Sequence, residues 1–139
     1  MTKATIIPIL RYADAPAAID FLCNAFGFEK HAVYADDADP RIVHHAQLVM
    51  GDAMIMLGTV SDSDWSRDAG MITVAKAGGN TQAPYVIVQD VDVHCARARA
   101  AGAQIIMEPA DQDYGGRNYG ARDPEGNAWS FGSYDPWAA

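Results

Sequence analysis

Cysteine is scarce: two in 139 residues, Cys23 and Cys95. No Cys-x-x-Cys motif or Cys/His spacing marks a structural zinc, and two thiols set no disulfide framework. Both fall in helix-like stretches, which is the usage of a reduced cytoplasmic protein with two buried thiols. Cations are also few, with 10 Lys and Arg against 18 Asp and Glu, for a net charge of −8. A field of that sign repels phosphate backbones. The densest basic groupings, Arg97 with Arg99 and Arg117 with Arg122, make no patch, so no nucleic-acid partner is expected. Long apolar runs are missing as well. Nothing approaches the roughly 18 residues of a membrane span. Met1-Thr2-Lys3 leads into a short apolar run interrupted by Pro8, without a small-residue cleavage site, so neither signal peptide nor membrane association is expected. Glutamate is the rare acid, present only as Glu29, Glu108 and Glu125.

Half of the residues are hydrophobic and a fifth charged, the composition of an ordinary globular chain. Near the C-terminus two strand-like runs flank Asp123-Pro124-Glu125-Gly126. Pro124 presets φ for a type I turn and Gly126 accepts positive φ just after it, which predicts a hairpin. At the other end, Thr5 to Leu10 reads as a strand, and Asp14 is placed to cap a helix with Pro16 in its first turn. Ile19, Leu22, Cys23 and Phe26 recur at helical spacing until Gly27 stops them. Strands then read at about 28–35, 42–50 and 53–59, the last two joined by Gly51-Asp52.

The second half repeats this order. Tyr85 to Gln89 reads as a strand, and Asp90 or Asp92 can cap a helix whose inner stripe is Val91, Cys95 and Ala98. Arg97 and Arg99 face water, Gly102 ends the helix, and strands read at about 103–107, 117–122 and 127–134. Gly27 and Gly102 stand 75 residues apart at matching points. A unit too small to bury its own sheet face, present twice, implies an α+β domain of two packed copies. Module one covers about 5–60, a connecting loop about 61–83, and module two about 84–135. The loop, with Trp65 and Ala77-Gly78-Gly79-Asn80, is long enough to be a functional segment; a solvated tether with Trp65 pinned to the body is the plainer alternative.

The run Gly116-Arg117-Asn118-Tyr119-Gly120-Ala121-Arg122-Asp123-Pro124-Glu125-Gly126-Asn127-Ala128-Trp129-Ser130-Phe131-Gly132 closely resembles the C-terminal hairpin of the vicinal oxygen chelate superfamily. That superfamily holds glyoxalase I, extradiol dioxygenases, and fosfomycin and bleomycin resistance proteins. The resemblance implies two βαβββ modules in tandem, forming a curved mixed sheet around a central cavity with helices on the outer face. It also implies a homodimer.

In the enzymes of that family a divalent ion is held by His or Gln, Glu, His and Glu from the first, fourth, fifth and last strands. The positions matching them here are Ile7, Met56, Ala83 or Pro84, and Ser130. None suits a hard or borderline divalent cation, since a thioether favours Cu(I). A one-residue slip reaches only Ile6, Pro8, Ile55, Leu57, Tyr85, Trp129 and Phe131. His44 and His45 are adjacent on a strand and point to opposite faces. His31 lies on a neighbouring strand, and His94, at the start of the second helix, is expected on the surface. No metal and no cofactor is therefore expected.

If strand parity follows the family, Met54, Met56, Tyr85, Ile87, Ala128 and Ser130 face the cavity, while Trp129 and Phe131 are core. Thioether and aromatic walls suit a planar or heteroaromatic ligand; the same residues may equally fill an interior without a cavity. Tyr114, Arg117, Tyr119 and Arg122 form a second set, with Arg117 and Tyr119 on one face. They are placed either to hold an anion at the rim or, for Arg122, to pair with Asp123 or Glu125.

The resulting expectation is a metal-free protein of the glyoxalase and bleomycin-resistance type, of use in antibiotic resistance. It would bind a small hydrophobic or aromatic molecule without catalysis, through Met54, Met56, Trp65, Tyr85, Ile87, Arg117, Tyr119 and Ser130. The alternatives are a metal-dependent lyase or dioxygenase of the same superfamily, and metal-free catalysis by Tyr119 or a cavity histidine.

Overall fold

Local signals set the helix ends in the computed structural model, which describes residues 3–138. Asp14 accepts the Ala17 N–H at 3.1 Å and opens α1 (Ala15–Phe21), with Pro16 in the first turn. The helix runs on into one π turn, Leu22–Phe26, and Gly27 ends it at φ 91°. Around it lie β1 (Ile9–Tyr12), β2 (Glu29–Ala35), β3 (Val43–Met50) and β4 (Ala53–Thr59). They form a four-stranded mixed sheet in the order β1-β4-β3-β2, with β1 parallel to β4 and the other pairs antiparallel. Leu22, Leu48, Leu57 and Tyr12 are fully buried in this module.

The second half builds the same sheet. β5 (Tyr85–Ile87) leads into α4 (Val91–Ala100), then β6 (Gln104–Asp111), β7 (Arg117–Arg122) and β8 (Ala128–Gly132), in the order β5-β8-β7-β6. Asp90 caps α4 by accepting the Val93 N–H at 3.1 Å. Val91, Cys95 and Ala98 are buried as the helical stripe predicts. By contacts the chain divides into two compact units. One is Met1–Cys23 with Gly27–Thr73, and the other is Asn24–Phe26 with Val74–Ala139. In the second unit Phe26 packs its ring 4.6 Å from Phe131 and 5.5 Å from Trp129.

The duplication extends to register. In each sheet a proline carbonyl accepts the amide of the last strand: Pro8 O from Met56 N, and Pro84 O from Ser130 N, both at 2.9 Å. Leu10 pairs with Leu57 as Val86 pairs with Phe131, and Ala46 faces Leu57 as Tyr119 faces Phe131. Met56 and Ser130 are thus equivalent positions, as are Gly58 and Gly132.

Three expectations need correction. The first strand lies at Ile9–Tyr12 rather than Thr5–Leu10, because the parallel ladder with β4 begins at Ile9; Ile6 is almost fully exposed. The strand expected at 103–107 continues to Asp111. It is an edge strand, and a register shift between Met107 and Ala110 accommodates Pro109. The connector is not structureless: it holds α2 (Asp64–Ala69) and α3 (Val74–Ala77). Ser63 caps α2 by accepting the Ser66 N–H at 3.2 Å, and Gly70 ends it at φ 71°. Trp65 is 58% exposed, so it is not pinned.

Candidate functional site

Strand alternation gives each sheet one face toward its helix and one face that no helix covers. In module one Ile55 and Leu57 are buried, while Met54 and Met56 between them are half-buried on the uncovered face. Ile9 and Gln47 flank Met56 by register. In module two Trp129 and Phe131 are buried, while Ala128 and Ser130 lie on the uncovered face. Tyr85 pairs with Ser130 and is 40% exposed; Ile87, on the same face, is 46% exposed. The structure therefore brings Tyr85, Ile87 and Ser130 together on one sheet and Met54 with Met56 on the other.

Tyr85 lies across a glycine. A Cβ on Gly132 would sit 2.6 Å from the Tyr85 hydroxyl oxygen and 2.8 Å from Asn118 Cβ. The hydroxyl donates to Tyr134 O at 2.7 Å, and burial pushes the phenol's pKa up, helped by Tyr114. Tyr134 meets Tyr114 edge-on at 5.1 Å, and Asn118 Nδ2 donates to the Tyr114 hydroxyl at 3.0 Å. Tyr85, Tyr114, Tyr134 and Asn118 thus make a hydrogen-bonded aromatic corner on module two. Tyr134 and Asn118 carry no motif that would have singled them out.

Two expected site residues lie elsewhere. Arg117 and Tyr119 do share a face, but it is the face against α4. Arg117 Nε and Nη2 each reach Asp92 Oδ1 at 3.1 Å, and Nη1 reaches Asp111 Oδ1 at 3.3 Å. Tyr119 is fully buried, and its ring stacks 5.4 Å from Phe131. Neither is placed at an open rim. Arg122, by contrast, makes no ion pair among the described residues, with Asp123 and Glu125 or otherwise.

His94 is not on the surface. Its Nε2 lies 2.7 Å from Phe26 O and its Nδ1 2.6 Å from the Tyr119 hydroxyl. A carbonyl only accepts, so Nε2 carries the proton and Tyr119 donates to Nδ1. Burial lowers the imidazole's pKa below the ordinary value, opposed by the bond to Phe26 and aided by Arg97. Burial also pushes the Tyr119 phenol well up. The signal was available: His94 is three residues after Val91 and beside Cys95 on the apolar stripe.

The equivalent positions Met56 and Ser130, with Ile7 and Ala83 or Pro84, offer a thioether, a hydroxyl and hydrocarbon. That donor set does not fit the divalent ion that relatives hold. Among the described residues no group of three or more His, Cys, Asp and Glu side chains is arranged to take a metal. His44 Nε2 is 3.0 Å from Asp36 Oδ1, His45 Nε2 is 3.1 Å from Gln47 Nε2, and Glu108 is paired with Arg99.

This tandem arrangement has relatives. The chain belongs to the Glyoxalase/Bleomycin resistance protein/Dioxygenase superfamily, whose family model matches residues 5–131. Among solved structures it is similar to TioX from Micromonospora sp. ML1, with 29% identity, 94% of this chain and 98% of that one covered, and a TM-score of 0.72. It also resembles a glyoxalase-related enzyme from Fulvimarina pelagi, with 19% identity, 94% and 88% coverage and a TM-score of 0.69. A glyoxalase I variant from Zea mays aligns at 17% identity over 91% of this chain and 43% of that one, with a TM-score of 0.68. No curated protein matches the chain. Among the described residues no helix is long and apolar enough to cross a membrane.

Proposed function

We propose that this chain binds a small hydrophobic or aromatic molecule on its uncovered sheet faces, without a metal and without turnover. The observation that carries this reading is the pair of equivalent positions Met56 and Ser130. Where a chelating enzyme of the superfamily needs carboxylates and imidazoles, this chain has a thioether and an alcohol, neither a competent partner for a hard cation. The surrounding surface suits a flat apolar body: Met54 and Met56 supply soft, adaptable thioethers, and Tyr85 and Ile87 supply aromatic and branched surface. The aromatic corner at Tyr85 gives that surface a fixed edge. Homodimerisation, a cytoplasmic location and a role in resisting a toxic small molecule accompany this reading, on the strength of the superfamily alone.

A thermal-shift screen of aromatic and heteroaromatic compounds, run with and without chelator, tests it. A ligand selective for the folded state raises the melting temperature by mass action, and chelator should leave the shift intact. Protein purified without chelator should carry no stoichiometric divalent ion by elemental analysis. A melt that responds only to metals, or a bound equivalent of metal, would favour the lyase or dioxygenase reading instead.

A further inference from the structure

We propose that Arg122 anchors the ligand and that the ligand is an organic monoanion, a planar or apolar body carrying one carboxylate. This rests on the small-molecule reading above and adds the charge of the ligand and the residue that reads it.

The chain has seven arginines. Arg41, Arg67, Arg99 and Arg117 pair with carboxylates, and Arg97 Nε donates to Asn24 O at 2.9 Å. Among the described residues the guanidinium groups of Arg11 and Arg122 have no such partner. The shortage is not of acids, since the chain carries 18. Both arginines lie on uncovered sheet faces. Arg11 pairs in register with Gly58, so closely that a Cβ there would meet its Nη1 at 2.5 Å, and its Nε is buried without a hydrogen bond. Arg122 pairs with Ala128, two residues before Ser130 on the same face. Unpartnered cationic donors in an acidic protein mark a place where an anion is missing.

At Arg122 there is room for one. An open cleft of about 770 Å³, the size of a small-molecule site, is lined by Arg122, Val74, Ile106, Ala128, Gly79 and Glu125 among others. Its wall is built rather than loose. Asn80 Nδ2 donates to Gly126 O at 2.9 Å, while its Oδ1 accepts the Ala128 N–H at 3.1 Å, so one side-chain amide ties the glycine loop to β8. Val74 packs so closely on Gly126 that a Cβ there would meet its Cγ1 at 3.3 Å.

The chemistry of the occupant follows from these walls. A guanidinium fork matches a carboxylate with two parallel hydrogen bonds. Val74, Ile106 and Ala128 suit an apolar body beside it. Glu125 lines the same cleft, and its like charge disfavours a dianion such as phosphate.

Isothermal titration of the full chain with benzoate, cinnamate, 2-naphthoate, their carboxamides and inorganic phosphate tests this. At least one acid should bind about tenfold or more tighter than its amide, the worth of a charge-assisted bond pair, and phosphate should not bind. Arg122→Gln should collapse the acid–amide difference, and Arg122→Lys should restore only part of it. Equal affinities for acid and amide, or a preference that survives Arg122→Gln, would overturn the assignment while leaving small-molecule binding in place. Failure of every acid and every amide to bind would overturn both. Should Arg122→Gln fold poorly, the acid–amide comparison on the unaltered chain still decides the matter.

Discussion

Tyr119 donates its hydroxyl proton to Nδ1 of His94 across 2.6 Å, and His94 passes its own Nε2 proton to the Phe26 carbonyl at 2.7 Å. Three residues from distant parts of the chain are joined in one line. Both side chains are held neutral: burial lowers the imidazole's affinity for a proton and raises the phenol's.

That line makes stability depend on pH in a defined direction. The unfolded chain takes a proton on histidine near the ordinary pKa of about 6.5. The folded chain resists until lower pH, because protonated Nδ1 can no longer accept from Tyr119. The contribution of His94 is therefore complete above that value and falls away as pH drops through the window beneath it. Urea unfolding between about pH 5 and pH 8 should show the acid-side loss in the native sequence and a smaller one in His94→Gln. Identical slopes for the two proteins would remove His94 as the source.

Asp123 organises the hairpin from inside it. Its Oδ1 accepts the Glu125 N–H at 3.1 Å and the Asn127 N–H at 3.0 Å, and its Oδ2 accepts Trp129 Nε1 at 3.2 Å. The residue is only 4% exposed. Asp123→Ala leaves three donors without their acceptor and should cost about 3 kcal/mol or more, with Asp123→Asn milder. A loss under about 1 kcal/mol by denaturant titration would show that the turn residues alone hold the hairpin.

Gly116 cannot accept a side chain. Its φ is 73°, and a Cβ would lie 2.7 Å from Tyr134 N, with backbone unable to yield. Gly116→Ala should lower stability by about 2 kcal/mol or more. Gly79→Ala is the control: an added Cβ there meets nothing within 4 Å, so its effect should stay within about 0.5 kcal/mol. Equal effects at the two sites would contradict the crowding seen at Tyr134.

Much of the fold was legible because its punctuation is local. Asp14, Asp90, Gly27 and the Asp123–Gly126 turn act through bonds to residues within four positions, so composition at those points suffices. The turn even encodes the faces of the final hairpin. With Asp123 N bonded to Asn127 O at 3.0 Å, outward counting pairs Arg122 with Ala128 and Tyr119 with Phe131. Tyr119 thus shares the core face of Phe131, and the expected rim pairing of Tyr119 with Arg117 fails on a register that the turn already contained. The start of β1 was not legible in the same way. It depends on where Met56 meets Pro8, a partner some fifty residues away. Arg11 and Arg122 were obscured for a third reason. A charged residue becomes conspicuous only once the partners of all the others are known, and sequence does not show pairing.

Phe26 belongs by sequence to the first module's helix, yet it sits in the second compact unit with Trp129, Phe131 and the imidazole of His94. An internal repeat is therefore not a pair of separable parts. A chain severed between Thr73 and Val74 would yield a C-terminal fragment missing a central ring and the oxygen that receives a histidine proton. Such a fragment should stay unfolded by circular dichroism until the N-terminal piece is added back, so that recovery by complementation, not autonomy of either piece, is the signature of this architecture.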